Sequence, residues 1–166
     1  MGKDYLRIDD RLIHGQIVTA WCRALDIGEI VAIDDKLASN STLQSIMMMG
    51  IPANFKHYVV TFERARSIFA ESSDCNRLFV TRLPGDLAAL REQLPKCETV
   101  FIGNAAKRPE TKFNLTKGGG GVLFVSAEDV KLLDELSASG VSLIAQTVPN
   151  SPARSWPQVR KTIKGL

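Results

Sequence analysis

Short apolar runs of strand character alternate with segments of helical spacing along nearly the whole chain, and this alternation narrows the possible folds more than any other feature. The apolar runs fall at residues 5–8, 29–33, 57–61, 77–82, 99–103, 122–125 and 141–148. Between them, apolar residues recur at helical spacing over 17–25, 37–49, 62–72, 87–94 and 127–139, and a last helix is expected from Pro152 to about Ile163. Start and stop signals agree with these segments. Ser39 or Ser41 and Thr61 are available as caps, Ser126 with Asp129 forms a capping pair, Gly140 follows the fifth helix and Ser151 precedes Pro152.

Strand and helix in that rhythm predict a three-layer α/β/α fold with an open, mostly parallel central sheet of about seven strands, built as one domain over residues 1–166. A chain of this length can bury a core without metal or disulfide staples. The longest connection, 104–117, interrupts the pattern after the fifth strand, and four consecutive glycines, Gly118 to Gly121, follow it.

In such sheets ligands gather beyond the C-terminal ends of the strands. The loop leaving the first strand at that edge reads RIDDRLIHGQ, residues 7–16, and brings together two carboxylates, two arginines and one of the chain's two histidines. His14 and Gly15 stand where a helix begins, an end with unpartnered amides and a positive dipole that attracts anions. Arg11 offers a planar fork for phosphate oxygens, and Asp9 or Asp10 can fix the imidazole tautomer. Together these parts describe a phosphate-accepting histidine. His14, Arg11, Asp9 and Asp10 are the expected catalytic residues, and Gly15, Gln16 and Arg7 the expected phosphate-binding ones. Phosphoryl transfer between nitrogens asks mainly for positioning and charge neutralisation, which guanidinium and amide groups supply without a metal or other cofactor.

The same parts also suit acid/base catalysis, although no serine or cysteine is placed to pair with His14 as a nucleophile. Two other classes use the same loop differently. One is a non-covalent phosphate- or nucleotide-binding module, the other a regulatory interaction protein.

The remaining candidates read as structural. Asp34 and Asp35 are solvated or paired carboxylates rather than a cation chelate, His57 is structural, and Met47, Met48 and Met49 are helix core with some exposure. The glycine run lacks the Lys-Ser/Thr of a P-loop and reads as a mobile turn. Trp21 and Trp156 are expected to pack on the sheet or at an interface, and Cys22, Cys75 and Cys97, odd in number and widely spaced, as reduced packing residues. A net charge of +3, with basic residues scattered, argues against nucleic acid as a partner. No apolar run approaches the roughly 20 residues that cross a bilayer, and the N-terminus carries no secretory signal, so a cytoplasmic protein is expected.

RIDDRLIHGQIVTAW, residues 7–21, closely resembles the active-site segment of the IIB components of the bacterial sugar phosphotransferase system, mannose/fructose/sorbose family. Weaker likenesses lie in VAIDDKLASN, in the glycine after the fifth strand, in SAEDVKLLDEL and in GVSLIAQTVP. The resemblance implies an open, mainly parallel sheet and a phosphoryl relay. A histidine of the cytoplasmic IIA protein donates, the IIB histidine holds the group, and the sugar receives it at the membrane IIC and IID components, which the protein contacts only peripherally. The family's phosphorylated histidine falls on His14, and its acidic and basic loop residues fall on Asp9, Asp10 and Arg11. In place of the family's usual paired-glycine segment after the fifth strand, this chain has GNAAKRPETKFN.

Overall fold

The computed structural model describes residues 1–116 and 122–166, so the glycine run expected to form a mobile turn lies outside the described residues. Its strands are β1 (Asp4–Ile8), β2 (Ile27–Ile33), β3 (Lys56–Val60), β4 (Asn76–Thr81), β5 (Thr99–Ile102), β6 (Phe113–Asn114), β7 (Phe124–Val125), β8 (Leu143–Ala145) and β9 (Arg154–Ser155). Seven of them form one sheet in the order β3-β2-β4-β1-β5-β8-β9, parallel throughout except for β9 at the edge.

The helices are α1 (Cys22–Ala24), entered through a π-helical turn at Ile17–Trp21, then α2 (Asp35–Ala38), α3 (Ser41–Met48), α4 (Phe62–Ala70), α5 (Ala127–Ala138) and α6 (Trp156–Arg160). Strand alternation sends side chains to two cores. Leu6 and Ile8 of β1 join the core beneath α4, α5 and α6, whereas Tyr5 packs with the core of Ile17, Trp21 and Cys22 on the opposite face. Both faces are therefore covered, which gives the three expected layers. Each fully buried leucine or isoleucine contributes about 2 kcal/mol of transfer free energy to this arrangement.

The sheet has the expected number of strands but a different membership. Residues 122–125 supply only β7, which pairs antiparallel with β6 in a separate hairpin. Leu115 and Leu123 are buried there, and the Leu115 amide donates to the Leu123 carbonyl at 2.8 Å, so the hairpin closes over the core. The seventh place goes to β9, in a stretch expected to be helical. Ser155 and Gln158 form a capping box with Pro157 in the first turn, and they move the last helix start to Trp156.

The single helix expected over 37–49 is two. Asp34 Oδ1 accepts from the Leu37 amide at 2.9 Å and Asn40 Oδ1 from the Leu43 amide at 3.0 Å, so these residues, not Ser39 or Ser41, are the caps. In place of the helix at 87–94 are 3₁₀ turns, Pro84–Leu90 and Leu94–Lys96, with Leu87, Leu90 and Leu94 fully buried. Thr61 caps α4, and the Ser126–Asp129 capping box opens α5 as expected.

Topology then positions the site. The chain leaves β1 toward the face of Trp21 and leaves the neighbouring β4 toward the opposite face, where Leu87 and Leu90 pack. A crevice opens at the C-terminal ends of strands wherever neighbouring connections part in this way.

Candidate active site

β1 ends at Ile8, and the chain turns at once. The Asp9 amide donates to the Thr81 carbonyl of β4 at 2.8 Å, and the Leu12 amide closes a tight turn onto the Asp9 carbonyl at 2.9 Å. Leu12 takes φ 54°, a left-handed conformation that costs a leucine free energy, and it is held there because its side chain is completely buried in the core beside Ile13, Ile17 and Trp21. This turn lifts His14 to the rim. The first helical hydrogen bond runs from the Val18 amide to the His14 carbonyl at 3.2 Å, so the amides of Gly15, Gln16 and Ile17 precede the helical ladder.

Asp9 is the hub. Its carboxylate is fully buried and accepts Arg11 Nε at 2.9 Å and the Arg11 amide at 3.2 Å on Oδ1, and Arg11 Nη2 at 3.0 Å and Arg7 Nη2 at 3.3 Å on Oδ2. His14 Nε2 lies 3.2 Å from the same Oδ2. That approach is off the N–H axis, so Nε2 is buried in close contact with the carboxylate without an aligned hydrogen bond. The ring as a whole keeps 19% of its surface exposed. Burial alone pushes the Asp9 pKa up, but the adjoining His14 ring, the Arg11 fork and the Arg7 charge outweigh it and hold the group down at about 2.

Of the expected phosphate contacts, Gly15 and Gln16 stand beside His14. Gly15 faces open space, and Gln16 Oε1 accepts from Arg11 Nη2 at 3.1 Å. Arg11 is exposed, yet its fork is spent largely on Asp9. Two expectations need correction. Arg7 does not reach the rim, because its β1 position points it inward. It is fully buried under the Trp21 ring, 4.4 Å from the centroid, and donates to the carbonyls of Gln146 and Thr147 at 2.9 Å each. Burial lowers its pKa to about 10, with Asp9 opposing that shift, so it remains charged at neutral pH. Asp10 does not orient the imidazole. Its Oδ2 accepts the Ala106 amide at 2.6 Å and its Oδ1 the Asn104 side chain at 3.4 Å, so it ties the loop to the connection after β5.

The structure adds Arg82, which the sequence did not single out, and gives partners to residues that it did. Arg82, at the end of β4 beside Asp9, donates to the Asp10 carbonyl at 2.6 Å and to Asp34 at 2.5 Å, which makes Asp34 a paired helix cap. Asp35 accepts from the Phe62 amide at 2.9 Å. Gly103 lies against Arg7, and a Cβ at that position would collide with the guanidinium. The strand expected to reach residue 148 ends at Ala145, and the next two carbonyls serve Arg7 instead of the ladder.

The structural candidates settle as follows. Met47 and Met48 pack on the Trp21 core while Met49 is exposed, and His57 Nδ1 lies 3.0 Å from the Phe55 carbonyl. All three cysteines are free, and burial pushes the Cys22 and Cys97 thiols up to about 12, far from a reactive thiolate. Among the described residues no group of three or more His, Cys, Asp or Glu side chains could hold a metal ion, and no helix is long and apolar enough to cross a membrane.

A family model described as "PTS system sorbose subfamily IIB component" matches residues 4–164. The sorbose-specific EIIB component of the PTS system of Klebsiella pneumoniae is 28% identical over 149 residues, covering 89% of this chain and 88% of that one. The fructose-specific EIIB component of Bacillus subtilis is 24% identical over 159 residues, covering 95% and 94%. Among solved structures, the IIBSor domain of the sorbose permease from Klebsiella pneumoniae superposes with a TM-score of 0.84 at 26% identity, covering 99% of this chain and 100% of that one. The structure of manxB from Thermoanaerobacter tengcongensis gives 0.82 at 27% identity, with 99% of each chain covered.

Proposed function

Because the chain belongs to the sorbose subfamily of IIB components, phosphotransferases of the sugar phosphotransferase system, we propose that its phosphoryl acceptor is His14 and that the group enters on Nδ1. The observation that carries this reading is the buried Nε2, 3.2 Å from a carboxylate that stays ionised. A lone pair on Nε2 would be repelled by the ionised carboxylate whereas an N–H is attracted to it, so the neutral ring carries its proton on Nε2 and the lone pair lies on Nδ1. In transfer the Nδ1–P bond forms as the donor's N–P bond breaks, and the donor imidazole leaves with the electron pair. Nε2–H stays against Asp9, whose negative charge balances the phosphoimidazolium.

Arg11 is the charge stabiliser at the rim and Asp9 the group that orients the ring. The amides of Gly15 and Gln16 face the incoming oxygens. The donor is the phosphorylated IIA protein, the acceptor is the sugar at the membrane IIC and IID components, and the protein works from the cytoplasmic side. A family of phosphotransferases favours covalent relay over a module that merely holds phosphate or a regulator that merely docks.

The test is incubation with phosphorylated IIA followed by mass spectrometry with the site located. The expected result is one acid-labile, base-stable phosphate on His14. Phosphate on another residue, or docking without transfer, overturns the reading.

A further inference from the structure

Arg7 is firmly anchored beside the site, yet no phosphate can touch it. It is fully buried, and its donors are distributed over the Gln146 and Thr147 carbonyls and Asp9 Oδ2. Trp21 covers one side, and Gly103 leaves the space that the guanidinium fills. A buried cation is expensive unless its partners are in place, and here β1, the segment after β8, the β5 end and the π-helical turn all supply part of its enclosure. Its connection to the rim runs through Asp9. Asp9 Oδ2 also meets Arg11 Nη2 and His14 Nε2, and Arg11 is exposed, with 42% of its side chain open to solvent. Arg7 and Arg11 both hold Oδ2, so losing Arg7 leaves the position of that oxygen against the imidazole to Arg11 alone.

We propose that Arg7 is a positioning residue that decides which nitrogen of His14 takes the phosphate, by holding Asp9 against Nε2 in the cradle made by Gly103 and the 146–147 carbonyls. This rests on the phosphocarrier reading above for its consequence, though not for the tautomer it imposes. A lysine at position 7 keeps the charge but cannot reach two carbonyls and a carboxylate as a flat fork does. Gly103→Ala crowds the same guanidinium from a position outside the His14 loop.

The experiment compares the parent with Arg7→Lys and Gly103→Ala, each first checked for folding by circular dichroism. Nitrogen-15 NMR of the imidazole reads the tautomer before phosphate is added. Phosphorylated IIA is then supplied, and the phosphohistidine isomer and the transfer rate at saturating donor are measured. The parent is expected to show the Nε2–H tautomer and only the Nδ1 isomer. The folded variants should show mixed tautomers and both isomers, with transfer about 100-fold slower and donor affinity unchanged. A purely structural Arg7 would lower the unfolding midpoint without moving tautomer or isomer, and that result overturns the proposal. A parent carrying its neutral-ring proton on Nδ1 overturns it without any variant. If the parent takes no phosphate but the variants still lose the Nε2–H tautomer, the phosphocarrier reading fails and the positioning role stands.

Discussion

Two buried arginines sit on adjacent central strands with nearly the same surroundings, and the contrast between them separates scaffold from site. Arg77 is the second residue of β4, at the N-terminal edge of the sheet. It forms two hydrogen bonds to Asp4, at 2.7 and 2.8 Å, donates to the Ile68 and Glu71 carbonyls and lies over the Phe79 ring. Arg7 on β1 likewise has one aspartate, two carbonyls and an aromatic ring, but its contacts with Asp9 are 3.3 and 3.4 Å. The difference is in the carboxylates. Asp4 gives both oxygens to Arg77, whereas Asp9 divides its two among Arg7, Arg11 and His14. The electrostatics follow. Burial pushes both arginine pKa values down, but at Arg77 Asp4, with Glu29 and Glu71 beside it, more than compensates and raises the value, while Arg7 settles at about 10. A dedicated pair serves stability; a shared one transmits orientation to the rim.

The largest effect should come at the end of the shared network. His14→Ala is expected to abolish phosphoryl acceptance while leaving the urea midpoint within about 0.5 kcal/mol of the parent, since the ring is partly exposed and its contact with Asp9 is poorly aligned. Retention of label in this variant would move the acceptor elsewhere. Next comes the dedicated pair. Arg77→Ala strands the nearly buried Asp4 carboxylate and two carbonyls, and should destabilise by about 3–5 kcal/mol in urea unfolding. The fraction that remains folded should transfer phosphate at the parental rate, and a matching loss of rate would erase the distinction between the two arginines.

How much of this was legible beforehand depended on distance along the chain. The His14 loop was readable because Asp9, Arg11, His14 and Gln16 meet within one turn of backbone. The surroundings of Arg7 and Asp10, in the same stretch, were not legible because their partners lie at 146–147 and 104–106, and strand parity says which side of a sheet a residue faces but not what waits there. Carbonyls leave no mark in a sequence at all. Gly103 was noticed as a glycine after a strand, but its reason is a guanidinium from β1. The parallel core was legible from its apolar runs, while β6, β7 and β9 are two-residue strands too short to show a period.

Acid sharpens the comparison at intermediate size. The folded Asp9 pKa of about 2 lies below the ordinary carboxylate value of about 3.9. A depressed carboxylate contributes stability that is fully present above the unfolded value and is lost as pH falls through the folded one. The window therefore runs from about pH 4 to about pH 2, and its size is about 2–3 kcal/mol. Asp9→Asn, although less stable at neutral pH because Arg7 is left unbalanced, should show a flatter dependence across that window. Urea midpoints at a series of pH values would measure it. Parallel slopes for parent and variant would mean that Asp9 does not carry the ionic coupling assigned to it.

Arg11 gives the smallest effect and the finest test. Its side chain is 42% exposed, but its partner Asp9 is fully buried and keeps only one of its two arginines, Arg7, when Arg11 is removed, so Arg11→Ala should shift the unfolding free energy by about 1–2 kcal/mol, less than Arg77→Ala. Transfer should nevertheless slow by about tenfold, equivalent to roughly 1.4 kcal/mol in the barrier, because Asp9 and Gln16 lose the donor that links them beside His14. Stopped-flow mixing with phosphorylated IIA would measure the rate, and urea unfolding of the same preparation the stability. An unchanged rate removes Arg11 from the mechanism. A stability loss as large as that of Arg77→Ala would instead make the rim arginine part of the scaffold, and sharing of the Asp9 carboxylate would no longer distinguish the functional edge from the opposite one.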